Sequence, residues 1–251
     1  LMFIALGIFA LAFLVISLTD IPENPVQKIE KKERSQYGPM SFRHFVLGAI
    51  AIFIYVGVEV GIPNVLQKWL QNGGLNVATG AEAIAGTVTA TYWFLMLVGR
   101  LAGAALGAKV SAKTMLTTVS GIGLIFVVLA IFLNPSTVVG LPVFKGTEGF
   151  GIAQVPVNAA LLVLCGLCTS VMWGGIFNLA VEGLGKYTER ASGIFMALVC
   201  GGGILPFVQN FVVDLSGNYL VSYWVVAAGL AFLLFYALAG SKNVNKDIPV
   251  E

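Results

Sequence analysis

The sequence predicts an all-α, polytopic membrane protein. Three observations carry that prediction: the composition, the spacing of the apolar stretches, and the sidedness of the basic residues. Of 251 residues, 58% are hydrophobic and only 10% are charged, where an average soluble domain carries about 25%. A water-soluble fold of this length has to cover its surface with polar side chains, and too few are present. Lipid is therefore the solvent for most of the surface.

Seven apolar stretches are long enough, or nearly so, to cross a bilayer core, which takes about 20 residues at 1.5 Å rise each. They lie near 1–18, 43–70, 84–108, 113–133, 156–181, 191–214 and 219–240. The only strongly charged segment, 19–42, separates the first from the rest. It holds Lys28, Lys31, Lys32 and Arg34 with the breakers Pro22 and Pro25, and reads as a solvated linker. A second long connection, 134–155, is rich in Gly, Pro and Thr. The expected organisation is one helix (1–18), the linker (19–42), a six-helix bundle (43–240) and a tail (241–251). The chain opens at Leu1 inside an apolar run, without the basic leader of a signal peptide, and reads as a sequence cut within a helix or loop.

If the seven segments alternate, Lys28, Lys31, Lys32, Arg34, Arg43, Arg100, Lys109, Lys113, Lys186, Arg190, Lys242 and Lys246 fall on one side and only Lys68 and Lys145 on the other. The positive-inside rule assigns the crowded side to the cytoplasm. The N-terminus of the chain is then expected outside and the C-terminus inside. A net charge of +2 gives no reason to expect a nucleic-acid partner.

Glycine shapes the helices. Gly99-x3-Gly103-x3-Gly107 reads as a close-packing face. Gly201, Gly202 and Gly203 followed by Pro206 predict a kink or hinge. Gly57, Gly61 and Pro63 predict a second bend. Cys165 and Cys168 form a C-x-x-C pair, but within an apolar run they read as packing residues.

Polar groups inside membrane helices are costly, so each is informative. Glu59 stands near the middle of its stretch, sixteen residues beyond Arg43. It either contacts a solute or proton, or is neutral and bonded to a neighbouring helix. Asn64 and Gln67 follow on a common face. Tyr92, Trp173, Gln209 and Asn210 are further cavity candidates, each weighed against plain packing. Gln209 and Asn210 point about 100° apart, so only one is expected to face a cavity. Arg100 and Glu182, both placed near helix ends, are expected to pair across helices as a gate. His44, the single histidine, reads as interfacial and non-catalytic. Phosphate loops, metal-ligand arrays and nucleophile–base pairs are not evident, so neither an enzyme nor a cofactor is expected.

Three stretches carry a family resemblance: FIYVGVEVGIPNVLQKWL (53–70), TYWFLMLVGRLAGAAL (91–106) and SVMWGGIFNLAVEGLGKYTERASGIFMALVCGGGILPFVQNFVVD (170–214). They resemble the fucose–proton symporter family of the major facilitator superfamily, which includes bacterial glucose/galactose transporters. The resemblance implies twelve helices in two bundles joined by a charged cytoplasmic loop. This chain would hold the sixth helix, the loop and the C-terminal bundle. It further implies alternating access around a hexose-type sugar in the cytoplasmic membrane, coupled to a proton or, alternatively, to sodium. The partners would be the sugar, the bilayer and the N-terminal half. Glu59, Asn64, Tyr92, Trp173 and Gln209 or Asn210 carry over as cavity residues. The rival readings are a half-transporter that works as a homodimer and a seven-helix receptor. A retinal-type receptor needs a lysine in its last helix, and 206–240 has none.

Overall fold

The computed structural model describes residues 2–19, 37–75, 77, 80–144, 149–245 and 247–250. Most of the charged linker, with Lys28, Lys31, Lys32 and Arg34, lies outside the described residues, as do Lys145 and Lys246. The chain divides into two units, 1–36 and 37–251. In the first, α1 (Met2–Leu18) is an uninterrupted apolar helix with no buried residue. Its 17 residues span about 25 Å.

The second unit is a bundle of six helical segments, each long and apolar enough to cross a membrane. The first is α2 (Arg43–Trp69), closed by a wide turn at Leu70–Gly74 where Gly73 has φ 102°. Then come α3 (Ala81–Gly107) and α4 (Ala112–Phe132). The fourth segment is split into α5 (Val157–Thr169) and α6 (Met172–Val181), and the fifth into α7 (Thr188–Ala197) and α8 (Gly201–Ser216). The sixth is α9 (Tyr223–Phe235), extended by a turn through Gly240. The apolar stretches read from the sequence from residue 43 onward each overlap one of these segments.

Two features differ from expectation. The connection 134–155 is not irregular: β1 (Val138–Phe144) and β2 (Phe150–Pro156) pair antiparallel, with Leu141 opposite Ala153. The helix expected over 156–181 is interrupted at Ser170–Val171, where no Gly or Pro announced a break. Near Pro63, α2 runs on as one helix.

Next to the glycine triplet, where a kink or hinge was expected, the helix changes type. A 3-10 turn at Leu198–Cys200 separates α7 from α8 just before Gly201. The triplet also sets how close α8 comes to α2. A Cβ on Gly201 would run into the Phe53 backbone carbonyl, and one on Gly57 into Leu205. Without a hydrophobic drive between helices in lipid, such backbone contact is the source of helix–helix attraction. Similarly, Gly99 and Gly103 let α3 rest against Ser170 and Val171, whereas Gly107 meets nothing. These contacts put α2 at the centre of the bundle. Its Phe45, Ile52, Tyr55, Ile62 and Leu66 are fully buried.

Candidate functional site

The polar centre of the bundle is built around Pro63. A proline has no N–H, so the carbonyl four residues earlier, that of Glu59, loses its helical partner. The Tyr92 hydroxyl on α3 donates to that carbonyl at 3.0 Å. This is why α2 survives its proline. The Tyr223 hydroxyl donates to the Ile62 carbonyl at 3.0 Å on the other side. Replacing Tyr92 with phenylalanine is expected to destabilise the bundle by about 1–3 kcal/mol, since it strands a buried carbonyl. Adding Pro63→Ala should return much of that loss, because it restores an N–H. Thermal unfolding of the detergent-solubilised protein measures both, and a Pro63→Ala that only adds to the damage would disprove the account.

The break in the fourth segment is stitched by the same residues. Tyr55, one helical turn before Glu59, donates its hydroxyl to the Thr169 carbonyl at 3.1 Å. The Tyr92 and Thr169 hydroxyls lie 3.1 Å apart. Interrupted helices near mid-membrane are a recurring way to bring polar groups to a transported solute.

Onto this frame Glu59 and Arg100 form an ion pair, Nη2 to Oε1 3.0 Å. The Arg100 side chain is 55% exposed and that of Glu59 only 11%. Their joint presence lowers the cost of each, since an unpaired charge here would be expensive. Arg100 faces a cavity of 330 Å³ lined also by Gly103, Ser170, Val171, Gly174 and Asn178. The expected Arg100–Glu182 pair is therefore corrected: no ion pair joins these two residues among those described. Arg100 lies seven residues inside α3 rather than at its end. Glu182, beyond α6, instead offers its backbone carbonyl to His44 Nε2 at 2.9 Å.

Of the other candidates, Trp173 joins the site. Its ring packs edge-on against Tyr55 (centroids 6.3 Å apart) and Phe195 (5.9 Å). Asn64 and Asn210 form a second cluster farther along α2. Asn210 Nδ2 approaches Asn64 Oδ1 at 3.3 Å, and Lys68 Nζ donates to Asn210 Oδ1 at 2.9 Å. Gln67 is half-buried. Gln209 is buried, with Nε2 3.4 Å from Ser222 Oγ and its amide oxygen against Gly61. Tyr55, Thr169 and Lys68 were not singled out from sequence. Tyr55 was findable, because i and i+4 share a helix face. Thr169 was not, since its part depends on a break that the sequence does not announce.

No family model matches the chain. Among curated relatives, it is 31% identical over 240 residues to a glucose/galactose transporter of Brucella abortus, covering 96% of this chain and 52% of the relative. It is 30% identical over 250 residues to a putative glucose/galactose transporter of Helicobacter pylori, covering 96% and 54%. The L-fucose–proton symporter of Escherichia coli is 22% identical over 248 residues, covering 95% and 51%. The chain thus spans about half the length of the curated relatives it matches. In three dimensions it matches a crystal structure of a major facilitator superfamily transporter in the outward conformation. The TM-score is 0.69 at 21% identity, over 94% of this chain and 52% of the other. A structure of the Escherichia coli fucose–proton symporter gives 0.71 at 21% identity, over 94% and 53%. By sequence the chain is thus similar, over about half of their length, to bacterial glucose/galactose transporters and to the L-fucose–proton symporter, and its bundle shares the fold of the solved transporters.

Proposed function

We propose that this chain is the C-terminal half of a secondary active transporter for a hexose-type sugar, working by alternating access with an N-terminal half of similar size. The observation that carries the reading is the Glu59–Arg100 pair beside the aromatic pair Tyr55–Trp173 at an interrupted helix. A carboxylate and a guanidinium offer acceptors and donors that suit vicinal hydroxyls, and an aromatic face suits the apolar side of a pyranose ring. The names of the relatives support the same substrate class. Trp173, Tyr92 and Glu59 lie nearest this centre, while Asn64, Gln67, Gln209 and Asn210 would shape the path beside it. We assign the coupling ion as a proton, on the strength of the fucose–proton symporter relative, with sodium as the alternative.

We further place the protein in the cytoplasmic membrane with the C-terminus inside. The support is the basic sidedness: Arg43, Lys109, Lys113, Lys186 and Arg190 all sit at the ends of segments that alternation puts on one side. Arg100, paired inside α3, no longer counts toward that bias.

The test is uptake of labelled glucose, galactose and fucose by the full-length protein in vesicles, with pH and sodium varied independently. Glu59→Gln is expected to cut uptake about tenfold or more, since a lost charge-assisted hydrogen bond is worth about 1.5–3 kcal/mol. Uptake and pH dependence both unchanged in Glu59→Gln would remove this site from the mechanism.

A further inference from the structure

The segment after α9 folds back across one end of the bundle. Arg43, the first residue of α2, donates its backbone N–H to Asn245 Oδ1 at 3.0 Å, and the Asn245 N–H donates to Asn243 Oδ1 at 3.0 Å. The Val250 carbonyl accepts from the Lys186 N–H at 3.1 Å, in the turn between α6 and α7. Ile248 and Val250 are half-buried against the apolar core. The turn is shaped for this contact. Gly183 and Gly185 have φ 73° and 49°, and a Cβ on Gly185 would collide with the Val250 backbone. Leu184, between them, is fully buried.

This turn is one end of α7, a helix of only ten residues. A 3-10 turn, Gly185–Tyr187, precedes it and another, Leu198–Cys200, follows it. Such turns have poorer hydrogen-bond geometry than an α-helix, and they are where a helical segment gives. Phe195 of α7 meets Trp173 edge-on at 5.9 Å and Phe177 at 5.1 Å. Movement of α7 about its two turns therefore moves a ring that packs on Trp173 of the candidate site. The tail links the end of α9 to the start of α2 and the start of α7. For α7 to swing away from α2, the bonds from Arg43 and Lys186 to the tail have to part.

We propose that the tail, through Asn245, Ile248 and Val250, is a strap that latches α7 and must part before this end of the bundle opens to release solute. The basic sidedness assigns that end to the cytoplasm. The proposal rests on the reading of the chain as half of a sugar transporter, although every contact of the strap lies within this chain. Two hydrogen bonds and two half-buried apolar side chains are enough to bias such an equilibrium severalfold, and few enough to part during turnover.

The test uses the full-length protein with Cys200→Ser, which removes an exposed thiol, and Leu184→Cys as reporter; the same protein without the reporter gives the background. In inside-out vesicles a membrane-impermeant maleimide should label the reporter slowly, and about tenfold faster once Val250→Asp frees the turn. In right-side-out vesicles, compared at equal amounts in the membrane, Val250→Asp should raise saturated uptake of labelled hexose (glucose, galactose or fucose) about threefold. Val250→Leu, which keeps the apolar contact, should match the parent in both measurements. Asn245→Ala, which removes only the acceptor for Arg43, should show both changes in weaker form. Equal labelling of the parent and of both Val250→Asp and Asn245→Ala would overturn the strap. Faster labelling with uptake unchanged or lowered in both would overturn it too, since the tail would then be packing alone. A parent that takes up none of the three sugars would overturn the transporter reading, and the strap's part in release with it.

Discussion

Arg100→Leu is expected to damage the protein more than Glu59→Gln, although the two residues form one ion pair. Arg100 is more than half exposed, whereas Glu59 is nearly buried. Removing the arginine leaves a carboxylate in low dielectric with its charged partner gone. Removing the carboxylate's charge leaves an arginine that still reaches the cavity. Breaking a fully buried pair costs about 3–5 kcal/mol and an exposed one under about 1 kcal/mol. With one partner buried and the other open, about 2 kcal/mol is expected for Arg100→Leu. Glu59→Gln should cost less than half of that. The double variant should be more stable than Arg100→Leu alone, because the stranded charge is gone. Thermal unfolding in detergent gives the three values. Equal costs for the single variants would refute the asymmetry argued from burial, and a double variant at their sum would mean that the contact carries no coupling energy. In vesicles, Arg100→Leu is expected to abolish uptake by the full-length protein, since it both removes a donor and forces Glu59 to change its protonation or its position.

Gly201 and Gly203 should respond in opposite directions to the same substitution. A Cβ at Gly201 collides with the Phe53 carbonyl, whereas one at Gly203 meets nothing within 4 Å. The Phe53 atoms that this Cβ meets are all backbone, so no flexible side chain can move aside. Overpacking a core commonly costs about 1–3 kcal/mol, and Gly201→Ala is expected at or above the top of that range. Gly203→Ala gains helix propensity and should stabilise α8 by up to about 1 kcal/mol. A melting temperature that falls for Gly201→Ala and holds or rises for Gly203→Ala is the expected pattern. Equal losses at both positions would show that the triplet acts through flexibility alone, not through the α2–α8 contact.

Much of this architecture is legible in one dimension. The solvent is fixed by the scarcity of charge, and the transmembrane segments by the length of each apolar run. The weight of Glu59 also comes from sequence, because a carboxylate in the middle of such a run is conspicuous without any knowledge of its neighbours. The division between Gln209, which packs, and Asn210, which reaches Asn64 and Lys68, follows the 100° step of a helix. Hydropathy and helical angle are local properties, and local properties can be summed along a chain.

What only the tertiary structure decided is who meets whom. Arg100 looked like an end charge destined for Glu182, and it is instead held by Glu59, 41 positions away. The interruption at Ser170–Val171 has no breaker residue, and exists because Tyr55 accepts the task of bonding the Thr169 carbonyl while Gly99 and Gly103 fit against the turn. The hairpin in 134–155 has composition suited to a loop, and its strands are held by burial of Leu141, Val143 and Val155 beside α3 and α5. Each of these outcomes depends on the distance between segments far apart in the chain. Backbone approach, set by a few glycines and one orphaned carbonyl at Pro63, determines those distances, and a linear sequence does not contain them explicitly.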